Sequence, residues 1–297
     1  MYKTDITKIG DPFIIKHNNK YYLYATSDKE GFIVWESDDL INFENKGHCY
    51  KMNENSFGYE CFWAPEVVFH NNRFIMHYTA KSADLNSLRI GVAVSASPLG
   101  PFKDVYRNKP MFDLGYACID ASVFVDDDKK CYIYYSKDCS ENVIDGVHTS
   151  QIYACPLRDD LLALDGEPTL LLTPTLEYER KSLVFDNEPF VWNEGPYMVK
   201  QHNIYYLFYS CNFYADPDYS VCLATSKYPN RDFEKLNEPI LCSKHINLSG
   251  PGHNMVFKDG KNFLLVYHVH TSQSNPSGDR TVCISNIKFK DSNVTIE

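Results

Sequence analysis

The sequence predicts an all-β chain arranged as a five-bladed β-propeller, and three observations predict it. One phrase returns five times: a short apolar strand, a polar turn, then a strand rich in Tyr, Phe and Ile. It reads DPFIIKHNNKYYLYAT from Asp11, APEVVFHNNRFIMHYT from Ala64, DASVFVDDDKKCYIYYS from Asp120, GPYMVKQHNIYYLFYS from Gly195 and GHNMVFKDGKNFLLVYH from Gly252. Each copy continues into a third strand of period-two alternation, such as FIVWES after Tyr24 and SVCLATS after Tyr209. No long stretch carries a helical period.

In register, the copies are anchored on Pro12, Pro65, Ala121, Pro196 and His253, at spacings of 53, 56, 75 and 57 residues. Propeller blades repeat every 40–50 residues or so, and the longer spacing leaves room for loops. The turns at Asn18-Asn19, Asn71-Asn72, Asp126 to Lys129, Gln201 to Asn203 and Asp259-Gly260 use residues that tolerate left-handed backbone. Tyr2 to Ile9 is expected to add a strand to the last blade and close the ring. One blade cannot bury both its faces, so stacking the copies supplies the core of one domain spanning 1–297. A β-sandwich has enough strands but does not repeat in this way. Four irregular stretches read as blade-edge loops around a mouth: Ser136 to Ser150, Thr173 to Asn187, Asn212 to Tyr219 and Thr271 to Asp279.

The formal charge of −10 argues against nucleic acid and against an anionic membrane surface as partners. Aromatics make up 14% of the chain, with 22 Tyr, mostly in alternating strands where β propensity explains them. The ten Cys show no zinc spacing and sit largely inside strands, and the N-terminus lacks a secretory pattern. A reducing cytoplasm is the expected location. The pair His268 and His270 forms H-x-H on one strand without an evident third ligand, so both read as structural.

In a propeller the first strand of each blade lines the central channel, so its opening residues converge on one mouth. Three copies carry a carboxylate at or just before that opening: Asp11, Asp120 and Glu194. Acids converging on one polar cavity are the equipment of glycoside hydrolysis, in which one carboxyl protonates the leaving oxygen and another activates water or attacks. The proton donor must keep its proton near neutral pH, and a neighbouring like charge is the simplest way to supply part of that rise. Glu66 also falls near a strand start, where it can face the cavity or only hydrogen-bond. Trp63, directly before the second inner strand, is a candidate sugar-stacking platform. Phe213 and Tyr214 are candidates for an outer wall. Trp35 and Trp192 read more simply as filler between blades.

The motifs GDPF at Gly10, WAPEV at Trp63, Ile119-Asp120, EGPY at Glu194 and GPGHN at Gly250 resemble glycoside hydrolase family 43, in the family's order and one per blade. The resemblance implies an inverting hydrolase that cleaves arabinofuranosyl or xylosyl linkages of oligosaccharides. Asp11 would be the general base, Glu194 the general acid, and Asp120 the carboxylate that orients Glu194 and raises its pKa. It further implies that Arg280 binds sugar hydroxyls. His253 would lie on the channel axis, near a calcium ion held through water, with no cofactor required by the reaction. The stretch YYSKDCSENV from Tyr134 departs from the Gly-Ser-aromatic segment of the family's endo-arabinanases, which favours exo-action. An endo-1,5-α-L-arabinanase and a non-catalytic carbohydrate-binding propeller are the alternatives.

Overall fold

A computed structural model describes residues 1–181 and 183–297; Ser182, inside the Thr173–Asn187 loop, lies outside the described residues. Five antiparallel sheets follow one another along the chain. Each is a meander whose second strand pairs with its first and third. The first strands are Gly10–His17, Gly58–His70, Cys118–Val125, Asn193–Gln201 and Gly252–Asp259. They touch in a closed cycle, each against the next and the last against the first. Tyr2–Lys3 pairs with Arg280–Lys290, so the N-terminus completes the last sheet as the sequence predicts.

The core is divided in the same way. Five clusters of buried side chains fill the five seams between neighbouring sheets, including the seam between last and first, where Phe13, Ile14 and Leu23 meet Met255, Phe257 and Val266. Tyrosine suits these seams because its ring fills space while its hydroxyl reaches a backbone acceptor on the next sheet. Tyr24 donates to the Pro98 carbonyl and Tyr134 to the Pro229 carbonyl, both at 2.7 Å.

A fourth strand, Glu44–Lys51, pairs outside the third strand Gly31–Ser37 of the first sheet. Two sequence expectations need correction. Two stretches read as loops instead zip into a sixth, small sheet of Val143–Ile144, Val147–Thr149, Leu183–Phe185 and Glu188–Val191. That pairing joins residues some 40 positions apart, which local pattern does not reveal. The last repeat is also anchored one residue later than its sequence suggests, on Asn254, because the register break and the positive φ fall at His253.

Each first strand breaks register at an equivalent place. At that bulge Asp11, Ala64, Asp120, Gly195 and His253 take positive φ of 55°, 44°, 58°, 57° and 45°. For the four that are not glycine this costs of order 1–3 kcal/mol each, and such strain concentrates at functional sites. Glycine suits position 195, where φ is positive and a Cβ would stand a tight 3.2 Å from His253 Nδ1.

The bulge frees a backbone N–H from the sheet ladder, and the preceding sheet supplies its acceptor. Ala64 N–H donates to Thr26 Oγ1 (2.8 Å), Asp120 N–H to Thr79 Oγ1 (3.0 Å), His253 N–H to Ser210 Oγ (2.7 Å) and Asp11 N–H to His268 Nδ1 (3.2 Å). The fifth clasp differs. Ser136 occupies the equivalent place, but its buried hydroxyl has no partner, and Gly195 N–H donates to Asp120 Oδ2 at 3.0 Å. A carboxylate has replaced a hydroxyl in the clasp next to Glu194.

Candidate active site

The bulges turn the strand openings toward a cavity of about 470 Å³. Asp11, Asp120 and Glu194 all line it, from three different sheets, and so do Trp63, Phe213, His253 and Arg280. The three acids, Trp63, Phe213, Tyr214, His253 and Arg280 are therefore brought to one place, and Glu66 is not. The bulge also explains why the acid sits at the opening in two copies and one residue earlier in the fourth, since both positions flank the same kink.

The carboxylates are in different environments. Asp11 Oδ1 accepts from Arg280 Nη1 at 2.8 Å and lies 3.3 Å from His253 Nδ1, while Oδ2 accepts from Thr26 Oγ1 at 2.5 Å. Burial pushes Asp11 up, but Arg280, His253, His268 and Thr26 together outweigh it and hold the carboxyl well below its ordinary range. Burial keeps His268 neutral, its pKa well below the usual imidazole value, so at neutral pH the permanent charge of Arg280 dominates that set.

Glu194 takes the opposite course. Burial pushes it up to about 8, with the charges of Asp138 and Asp11 adding to the rise; a hydrogen bond from Tyr219 and the charge of Arg280 oppose it. Tyr219 donates to Oε1 at 2.8 Å, and its ring stacks on His268 at 5.6 Å between centroids. Asp120 is pushed up to about 7, chiefly by burial, with His253 opposing and Glu194 and Asp11 adding to it. Repulsion between Asp120 and Glu194 is mutual, so their protons leave in steps that belong to the pair. One buried carboxyl is thus held ionised while its neighbours hold protons to near neutrality or above, the separation that divides acid from base.

The structure adds residues that the sequence reading missed. Asp138 and Asp11, rather than Asp120, are the carboxylates whose charges most raise Glu194, while Asp120 reaches the Glu194 strand through Gly195 N–H. Asp138 stands two residues beyond Ser136, so strand alternation returns it to the same face, a signal present in the repeat. Trp192 lines the cavity instead of filling a seam, and its ring stands 5.3 Å from that of Phe213. Trp35 is core. Glu66 is not in the cavity wall; it lies beside Ser122 and the Val123 N–H, where burial pushes it well above the carboxylate range. His270 is bonded to Ser249 Oγ and the Tyr214 carbonyl, as a structural histidine would be.

A family model described as glycosyl hydrolases family 43 matches residues 6–294. The chain belongs to this family. Among solved structures, a thermostable family-43 glycoside hydrolase is 45% identical with a TM-score of 0.92, covering 100% of this chain and 96% of that one. A Bacteroides thetaiotaomicron structure described as an endo-1,4-β-xylanase is 30% identical with a TM-score of 0.84, covering 99% and 96%. Among curated relatives, a β-D-galactofuranosidase of Aspergillus niger is 24% identical, covering 97% of this chain and 83% of the relative. An extracellular exo-α-(1→5)-L-arabinofuranosidase of Cellvibrio japonicus is also 24% identical, covering 90% and 80%.

Proposed function

We propose that this family-43 chain is an inverting glycoside hydrolase, carried on a single five-bladed propeller domain, that releases arabinofuranosyl or xylosyl units from plant-derived oligosaccharides. The observation that carries the reading is the opposed protonation of two buried acids in one cavity. Asp11, held ionised by Arg280, is the base that deprotonates water; Glu194, held protonated to about pH 8, is the acid that protonates the leaving oxygen. Asp120 orients the acid by gripping the Gly195 N–H. Trp63 and Phe213 offer ring faces to sugar, and Arg280 and His253 offer donors to its hydroxyls.

The donors around His253 do not make a calcium cage: calcium takes six to eight oxygens, and the adjacent Asp11 is already engaged by Arg280 and Thr26. Calcium near His253 would be held through water, and no step of the reaction requires it. The ten free thiols, with Cys211 and Cys222 side by side at 3.2 Å, support a reducing, cytoplasmic setting.

Exo-action is the first reading. One observation favours endo-action as a second: the cavity adjoins a groove of about 510 Å³ that shares Thr26, Trp63, Gly278 and Arg280 with it. A further sugar seated there would extend the substrate away from Glu194. The test is a panel of nitrophenyl arabinofuranoside, xyloside and galactofuranoside with wild type, Asp11→Ala and Glu194→Ala, plus product sizing from linear oligosaccharides. Loss of hydrolysis in Asp11→Ala, and an anomer of inverted configuration by NMR, are expected. Undiminished hydrolysis in both variants refutes the roles.

A further inference from the structure

Behind the cavity wall lies a buried ion pair that the reaction itself does not use. Glu179, fully buried, comes from the short 3-10 turn Glu177–Glu179; Lys235 comes from the outermost strand of the fourth sheet, Glu234–Lys235. Lys235 Nζ lies 2.7 Å from both Glu179 oxygens. The carboxylate also accepts from Tyr209 OH (2.8 Å) and from the N–H groups of Thr175 and Leu176 (both 2.9 Å). Lys235 also donates to the Thr173 carbonyl at 2.6 Å.

Both ions converge on Asn193. Its Nδ2 donates to Glu179 Oε1 at 3.2 Å, and its Oδ1 accepts from Lys235 Nζ at 3.0 Å. The anion meets the amide's donor end and the cation its acceptor end, so a flipped amide would face repulsion at both. Asn193 is fully buried and lies between Trp192 and Glu194, which both line the cavity. Side chains alternate along a strand, so a slip of one residue would present Asn193 to substrate and turn Glu194 away. A buried ion pair adds little stability over an apolar pair of the same size; its best-attested use is to fix register.

We propose that the Glu179–Lys235 pair is a positioning device for the cavity, holding both ends of the Asn193 amide so that Trp192 and Glu194 face the substrate. The proposal rests on Glu194 being the general acid. Neither Glu179 nor Lys235 touches the cavity.

The test uses the full chain with Glu179→Gln, Lys235→Met, the charge-free double variant, and Asn193→Ala, which removes the handle but keeps the ion pair. Each is assayed for kcat and KM on an aryl glycoside with a good leaving group and on the corresponding disaccharide, alongside thermal unfolding and the alkaline limb of the pH profile. A displaced acid hurts the substrate that needs protonation. The loss of kcat on the disaccharide is therefore expected to exceed that on the aryl glycoside by at least roughly tenfold, and the alkaline limb to move. The double variant is expected to recover melting temperature over the single ones without recovering that ratio. Lower melting temperatures with equal losses on both substrates, or no losses, overturn the proposal. If Glu179→Gln does not fold, Asn193→Ala decides by the same ratio. Glu194→Gln is the control: if it shows no dependence on the leaving group, the assignment of the acid fails, whatever the clamp variants do.

Discussion

Replacing Arg280 by Met tests how Asp11 is kept ionised. The guanidinium stands 2.8 Å from Asp11 Oδ1, and both side chains are nearly buried, at 8% and 10% exposure. Breaking one side of a buried pair costs about 3–5 kcal/mol, and each pKa unit corresponds to about 1.4 kcal/mol. The Asp11 carboxyl should therefore rise by roughly two to four units once only Thr26 and the two histidines oppose burial. The direction follows from the proposed role: a general base must be ionised to work, so raising the Asp11 pKa moves the acid limb of the rate profile to higher pH. Wild type should keep its kcat/KM on an aryl arabinofuranoside as pH falls until the chain unfolds. Arg280→Met should instead lose activity as pH falls through the ordinary carboxylate range, about pH 4, because the rise starts from a carboxyl held well below that range. The diagnostic is the position of the limb, because its height also falls if Arg280 binds the sugar. An acid limb that stays in place in a folded variant refutes the account of Asp11.

Asp138→Asn removes a negative charge that raises Glu194, so the alkaline limb, near pH 8 in wild type, should move to lower pH; a shift upward contradicts the reading. Glu194 also makes a stability prediction. Its folded pKa, about 8, lies above its unfolded value, so its contribution is complete below that unfolded value and lost as pH rises through about 8. Melting of Glu194→Gln relative to wild type should accordingly improve between pH 5 and pH 9, and a difference independent of pH would show that Glu194 is not perturbed. In the ring of clasps, Thr79→Val strands the buried Asp120 N–H and should cost about 1–3 kcal/mol in urea unfolding. Ser136→Ala removes a hydroxyl without a partner and should cost far less; equal costs would disprove the difference between the two clasps.

Much of the plan was legible in the chain because a repeat writes the same local physics five times. Alternating Tyr-rich strands, Asn-containing turns and acids at three strand openings are all properties of neighbouring residues, and each leaves a pattern that can be counted. The one-residue shift to Asn254 escaped because a bulge is set by pairing with the next strand, and His253 resembles its counterparts in sequence position but not in register. Trp192 and the pairing of Val147–Thr149 with Glu188–Val191 escaped for a like reason, since their course depends on what they meet, whereas Asp138 carried a signal in the alternation beyond Ser136 that went unused.

The sequence by itself determined that this is an all-β repeat of family 43 with Asp11, Asp120 and Glu194 at its strand openings. Only the tertiary structure decided the environment of each acid. Arg280 reaches Asp11 across 269 residues, Asp138 and burial act on Glu194, and the Gly195 N–H binds Asp120. Charge and desolvation act through space over a few ångströms, and distances in space are what a linear sequence does not record.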